Sequence, residues 1–543
     1  MMAVVQFLRA CWPLFVLVLA ACLPLQAQQQ PTAGAADAPW VTLLNPQHLG
    51  GSIEGTALAR DAAGNLYVTG VFTGAVRLGE LQLQAPQGSA AKVGFVAQLS
   101  PAGRWRWAQV LTGFDGSTNR AESVASDAAG GLYVTGSYQG QVRFGSYLGL
   151  EPPSPGGAPS GARHFVARLD TAGHWLWAQA LSVGPAKSSQ VTSDAAGMAY
   201  VNGGPAATGA SGLAREVVAG KISPQGAWQW TVRPPAPPPP RVQALAVSPS
   251  GHVFLGGALL PSPPVRSPQP AEDGWLGPGR PAGPERPFVA RLTATGKWEW
   301  TATAQPQGNG RATCEALRVG PDGDLFVAGQ YDTPVRFTAV AGRPLQLRVP
   351  ERSGSVFVGR LTAGGQWRWV TAPTSAGSTF ARRGIFLSDL DLDAAGQLCL
   401  AGTFAGSAEF STLPSSTHLS AGDKWGQSYV AWLSPMGRWL AAVTPTASPK
   451  GAFSGAAYAR AVLATGVGCA VLLAHAPGAA TDESDEFTTT LTLGLSQAKS
   501  LHPDRWSMLS QADGGRRTHQ FRGPTRYGGH VALGPARGYE LPP

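Results

Sequence analysis

DAAGNLYVTGVFTG (residues 61–74), DAAGGLYVTGSYQG (127–140) and DAAGMAYVNGG (194–204) are three copies of one pattern. Each opens on an Asp, small residues and a Gly. This is the composition of a tight turn in which the Asp bonds the local backbone and the Gly takes a positive φ. The aromatic and β-branched run that follows suits a pleated, half-buried strand. Weaker copies are SPSGHVFLGG from Ser248, GPDGDLFVAGQY from Gly320, DAAGQLCLAGTFAG from Asp393 and a worn LATGVGCAVLLA from Leu463. A second pattern alternates with the first: FVAQLSPAGRWRWAQ from Phe95, FVARLDTAGHWLWAQ from Phe165, VAGKISPQGAWQW from Val218, FVARLTATGKWEW from Phe288, FVGRLTAGGQWRW from Phe357 and YVAWLSPMGRWLA from Tyr429. A seventh copy is expected between Thr490 and Trp506. A strand of alternating apolar residues, such as Ala57, Ala59 or Val124, leads into each Asp. Each unit of about 70 residues therefore reads as four antiparallel strands. The fourth carries Trp105 and Trp107, whose spacing of two predicts that they share a face.

One four-stranded sheet alone would leave an apolar face in water. The units must therefore pack on one another, and a closed ring also removes most exposed sheet edges. The expected fold is all-β, a seven-bladed β-propeller of four-stranded antiparallel blades. Gly 70 and Pro 46 with only 13% charged residues suit short strands joined by turns, and suit long helices or a disordered chain badly. The chain divides into a signal peptide at 1–27, a linker at 28–39, the propeller at 40–510 and a basic Gly/Arg-rich tail at 511–543. PWVTLL at Trp40 matches WAQVLT at Trp107. Either this entering strand or the one at Trp506 completes the last blade and closes the ring.

At these residues the chain resembles the SBBP family of seven-bladed β-propeller repeat proteins in exported bacterial proteins, whose units read like DxxGNxYVTGxFxG followed by FVAKLxxxGxxxW. The resemblance spans residues 40 to about 506 and is weakest in units three, four and seven. It implies the propeller fold and no shared catalytic residues.

Arg9 followed by the apolar run CWPLFVLVLAACLPL reads as an export signal. The run is about 15 residues, short of the roughly 20 of a membrane-spanning helix. Two processing routes fit: cleavage after Ala27, leaving a secreted or periplasmic protein, or lipidation of Cys22 at LAAC, leaving a lipoprotein at the cell surface. No transmembrane segment is expected beyond it. Beyond the signal remain Cys314, Cys399 and Cys469. The last two share a repeat position on adjacent blades. A face-to-face sheet spacing of about 10 Å would hold them beyond disulfide reach, so all three read as buried strand residues.

Consecutive strands run up and down, so the 1–2 and 3–4 links share one rim and the other links share the opposite rim. The first rim carries tight turns. The second carries every long segment: those from Ser146, Leu259, Ser411 and Ala476. Function on a rigid scaffold concentrates in such segments. Trp275 and Trp425 lie in two of them and are the candidate binding residues for a protein or polysaccharide partner.

Asp389, Asp391 and Asp393 resemble the start of a calcium loop, but Gly396 is out of place and no twelfth-position Glu follows. They read as strand residues and a turn Asp. Arg77, Arg143 and Arg336 recur at one repeat position and suggest a shared structural contact. His164 and His174 flank one strand, and no His pair has zinc-ligand spacing. No metal, cofactor or catalytic constellation is expected. The formal charge of +9 is spread along the chain, with one concentration at Arg516, Arg517, Arg522, Arg526 and Arg537, read as a solvated tail. No nucleic-acid motif accompanies it.

The expected function is that of an exported, noncatalytic, monomeric propeller that binds a protein or glycan, or has a structural role, in the cell envelope or exterior. ARLDTAGHWLWA from Ala167 also resembles the tryptophan-docking repeat of quinoprotein dehydrogenases and of outer-membrane assembly scaffold lipoproteins. The dehydrogenases' vicinal cysteine pair is missing, and the scaffold lipoprotein remains as the alternative. A propeller glycosidase or lyase is a third reading, because the SDAAG turns resemble degenerate Asp boxes.

Overall fold

A computed structural model of the chain describes residues 41–44, strand segments within 488–532, and residues 51–475 apart from intervals that include 151–162, 207–216, 262–282 and 446–456. The signal peptide, Cys22, Trp275 and Trp425 lie outside the described residues. Among those described there is no helix; the chain forms antiparallel sheets.

The repeat builds the sheets in the expected way. In the first blade Ile53–Arg60, Leu66–Phe72, Val93–Leu99 and Trp105–Thr112 pair in chain order from the inside outward. The turn Asp holds the first link: Asp127 Oδ1 accepts the Gly131 N–H at 2.8 Å, and Asp393 Oδ1 accepts that of Gln397 at 2.8 Å. On this tight rim Arg168 pairs with Asp127 at 2.7 Å while its guanidinium lies 5.0 Å from the Tyr133 ring centre. Arg360 repeats the arrangement with Asp324 and Phe326.

Seven sheets of four or more strands are formed among the described residues, three of them extended by one or two strands of the following unit, and seven buried apolar clusters lie between them. Each cluster draws on two consecutive sheets. One joins the seventh to the first: Ala461, Ala470 and Leu472 pack with Ile53, Val68 and Phe95. The innermost strands touch in the same cyclic order, from Ile53–Arg60 through Ala457–Thr465 and back. The fold is a β-propeller whose core is the set of layers between blades. The closing strand is the entering one: Val41–Leu44 pairs with Thr488–Leu495. Trp506–Ala512 instead pairs with Gly515–Phe521, and Thr525–Tyr527 pairs with His530–Ala532.

The tryptophan pair departs from the expectation of a shared face. Leu99 faces Trp105 and Gln98 faces Trp107, so Arg106 is an extra, bulged residue between them. One inserted residue reverses the alternation of the strand. Trp105 therefore packs in the layer toward the seventh blade and Trp107 in the layer toward the second. The bulge recurs in five other blades, between Arg168 and Leu169 for example. The second tryptophan docks on the next blade's turn. Trp177 Nε1 donates to the Pro224 carbonyl at 2.9 Å, Trp230 Nε1 to that of Ala294 at 3.0 Å and Trp369 Nε1 to that of Pro435 at 3.2 Å.

Parts of the segments expected as loops are short strands. Val142–Phe144 with Leu148–Leu150, Val335–Thr338 with Pro344–Leu347, and Ser407–Thr412 with Ser415–Ser420 form hairpins between the second and third strands of their blades. The first two hairpins pair with the outer strand of the preceding blade, and the third with Thr374–Ala376, which follows such a strand. Each hairpin drops a phenylalanine onto the first tryptophan of its own blade: Phe144 on Trp175, Phe337 on Trp367 and Phe410 on Trp439, with ring centres 5.0, 4.8 and 5.0 Å apart, edge to face. Ala75–Leu78 with Leu81–Gln84 is the corresponding hairpin of the first blade, and Arg77, Arg143 and Arg336 are equivalent because each is the exposed residue between two buried apolar ones in the first strand of its hairpin.

Candidate functional site at the channel mouth

The innermost strands start at the rim of the long segments and line the central channel. In six of them the register slips near this start, at Gly55/Ala57, Ala121/Ser123, Val242/Ala244, Cys314/Ala316, Leu387/Asp389 and Ala459/Ala461. A bulge of this kind re-aims one side chain. The bulged residues are Thr56, Glu122, Gln243, Glu315, Ser388 and Arg460, and all six are polar. Several reach the next blade. Thr56 Oγ1 donates to the Ala121 carbonyl at 2.7 Å, and Ser388 Oγ to that of Ala459 at 2.6 Å. Arg460 pairs with Glu54 at 2.7 Å across the join of the ring.

Charged groups converge here as two arginine–carboxylate–arginine sets. Glu54 lies between Arg460 and Arg120, the latter at 3.3 Å. Glu285 lies between Arg241 at 2.6 Å and Arg311 at 3.7 Å. The first set spans blades seven, one and two and the second spans four and five, so they stand on opposite sides of the mouth. The carboxylates are buried, whereas the side chains of Arg120, Arg460 and Arg311 are 36%, 37% and 52% exposed. The solvent therefore meets guanidinium. Phe386 takes the register position of Arg120 on the sixth blade, between the blades carrying Arg311 and Arg460, and is exposed.

Two further carboxyls sit in the same belt. Glu122 accepts hydrogen bonds from Ser137 Oγ at 2.6 Å and from Ser189 N and Oγ at 2.8 and 2.9 Å, with His164 Nδ1 at 3.8 Å. Burial opposes its ionisation, but His164, Ser137 and Ser189 together hold it below the ordinary carboxyl value. Glu315 has the opposite fate. Burial pushes it up to about 6, against the hydrogen bonds of Thr313 and Gln330 and the charge of Arg241. A raised acid pKa means that the folded chain binds this proton more tightly than the unfolded chain, whose value is near 4.5. The penalty is absent below about pH 4.5, grows to about pH 6, and is complete above it, at roughly 1–2 kcal/mol. Glu315→Gln is accordingly expected to raise stability by roughly that amount at pH 7.5 and by nothing at pH 4. Urea unfolding at the two pH values measures this, and an equal effect at both would contradict it.

The other sequence candidates are dispersed. His174 is exposed and pairs with Asp170 at 3.0 Å on the tight rim, far along the strand from His164. Asp389 and Asp391 bind Arg318 at 3.3 and 2.9 Å, and their second oxygens accept the N–H groups of Val462 and Ala464. They stitch three blades together. No group of three or more His, Cys, Asp or Glu suited to a metal ion occurs among the described residues, and no helix there is long and apolar enough to cross a membrane.

No family model matches the chain, and no curated protein does. Solved structures match at low similarity. Virginiamycin B lyase from Staphylococcus aureus is 8% identical, with 84% of this chain and 99% of that one covered and a TM-score of 0.39. A protein of unknown function from Dyadobacter fermentans is 10% identical, with coverages of 84% and 97% and a TM-score of 0.37. YCF48 bound to D1 peptide is 12% identical, with coverages of 71% and 84% and a TM-score of 0.31. Identities this low tie the chain to none of their activities.

Proposed function

We propose that this chain is an exported binding propeller of the SBBP type, and that the channel mouth on its long-segment rim holds an acidic polysaccharide or an acidic protein surface. The observation that carries the reading is the arrangement of the two arginine–carboxylate–arginine sets. Each buried carboxylate fixes two guanidiniums, and these planar forks present their remaining donors to the channel. Phe386 adds an exposed aromatic face between two of the charged blades. The rigid strands hold these groups in place before any ligand arrives, which limits the ordering cost of binding.

Arg120→Ala leaves Glu54 paired with Arg460, and Arg311→Ala leaves Glu285 paired with Arg241. Each removes one donor fork without stranding a buried carboxylate. The two together are expected to weaken retention on a polyuronate or sulfated glycan, or on an acidic envelope protein, by about tenfold or more. Retention should also fall with salt. A glycan array and a pull-down from envelope extract, run on both proteins, measure it. Binding to neutral glycans alone, or unchanged binding by the double variant, would defeat the reading, and turnover of a bound glycan would replace it with an enzymatic one.

The inter-blade tryptophan contacts at Trp177, Trp230 and Trp369 favour a second reading as an outer-membrane scaffold lipoprotein. Incorporation of a palmitate analogue at Cys22 would support it, and cleavage after Ala27 would remove it.

A further inference from the structure

Cys399 and Cys469 were expected to be held apart by the spacing of face-packed sheets. The inner strands bring them together. Cys399 is the cross-strand partner of Asp391, and Cys469 that of Ala464. Asp391 Oδ2 accepts the Ala464 N–H at 2.8 Å, so the two registers are tied to each other across the blade boundary. Asp389 repeats the tie with Val462 at 3.2 Å, and Arg318 holds the other oxygen of each carboxylate. The shared repeat position expected from the sequence does not hold: counted from the bulged residues Ser388 and Arg460, Ala464 corresponds to Leu392, so its partner Cys469 takes the place of Leu398 and faces the sixth blade, while Cys399 faces the seventh. Both cysteines are free and buried in one apolar cluster between the sixth and seventh blades. Burial first, and then the neighbouring Cys469 thiol, push the Cys399 thiol up.

We propose that Cys399 and Cys469 are a modification site, an inter-blade disulfide that fastens the sixth blade to the seventh, the blade in which both ends of the ring meet. The oxidant is a small-molecule or protein disulfide. One cysteine, as thiolate, attacks it and releases one thiol. The second cysteine then attacks the mixed disulfide, forms the Cys399–Cys469 bond and releases the second thiol. Two protein thiols and one disulfide become one protein disulfide and two thiols, and the two protons leave with the released sulfurs. Because both sulfurs are enclosed in the finished ring, the reaction belongs to the stage before the seventh blade docks. Cys314 lies elsewhere, in the layer between the fourth and fifth blades, against Gly256, and stays reduced.

The test uses the full chain carrying Cys11→Ser and Cys22→Ser, which leaves three thiols and no substitution inside the ring. It is refolded in a buffer of oxidised and reduced glutathione, alkylated and mapped without reduction. The expected result is one linked peptide pair joining Cys399 to Cys469, with Cys314 alone alkylated. The refolded protein should also show a higher unfolding midpoint, which drops when the linkage is reduced. Three alkylated cysteines after refolding, or a linkage that includes Cys314, would overturn the proposal. So would a Cys399–Cys469 linkage whose reduction leaves the midpoint unmoved, since the bond would then fasten nothing.

Discussion

Phe337→Ala is expected to destabilise the chain by about 3–5 kcal/mol, the range for removing a buried aromatic ring from a packed core. Phe337 is buried, lies 4.8 Å from the Trp367 ring and 5.4 Å from that of Phe357, and pairs through its backbone with Ala304 of the preceding blade. One residue thus joins the roof over its own blade's tryptophan to the edge of the neighbour. Truncation leaves a cavity under the hairpin and removes the apolar anchor that holds Val335–Thr338 against Trp298–Pro306. Amide exchange at Ala304, Gln305 and Pro306's neighbours should accelerate more than exchange at Val289 or Ala290, which pair on the far side of the strand. Arg336→Ala on the same short strand is the control. Arg336 is exposed, and its loss is expected to change stability by less than about 0.5 kcal/mol. Urea unfolding of the two variants measures the contrast, and similar values for both would refute the account of the hairpin.

The tight rim was legible in the sequence because its chemistry is local. Asp61, Asp127 and Asp194 each bond a backbone within a few residues, and the glycines that follow need a positive φ wherever the chain folds. The hairpins were not. VRF at 142–144 is too short to show a period, so only the recurring arginine stood out, without its reason. The bulges were hidden for a different cause: an extra residue is defined only by the partner strand, and WRW reads the same with or without one. Some signal for the channel mouth was present. Thr56, Glu122, Ser189, Gln243, Glu315 and Ser388 each stand five residues before the first turn residue of their unit, a column that is polar in every one of these units. Repeat comparison favours columns of constant identity, and this column is constant only in polarity. Trp275 and Trp425 are conspicuous in the sequence as isolated aromatics in long segments, whereas the charged belt is scattered among the repeats.

Gly437→Ala is expected to cost about 2–5 kcal/mol, a large effect for one added methyl group on a surface turn. Two separate terms make up the figure. Gly437 has a φ of 80°, a conformation that costs an L-residue about 1–2 kcal/mol. The new Cβ would also stand 2.7 Å from Trp369 Cδ2, and forcing the indole to move adds about 1–3 kcal/mol. The indole cannot retreat freely, because its Nε1 donates to the Pro435 carbonyl two residues before the glycine. The clash and the hydrogen bond act on one ring, so relief of the first breaks the second. Gly323 separates the terms. It has nearly the same φ, 81°, in a turn of the same kind, but its added Cβ would meet nothing within 4 Å. Gly323→Ala should therefore show the backbone cost alone, about 1–2 kcal/mol. Thermal or urea unfolding of the two variants measures the difference, which is the cost of displacing the docked Trp369 ring between the fifth and sixth blades. Equal costs would mean that the ring's stability does not pass through the tryptophan contacts, and that the apolar layers alone hold neighbouring blades together.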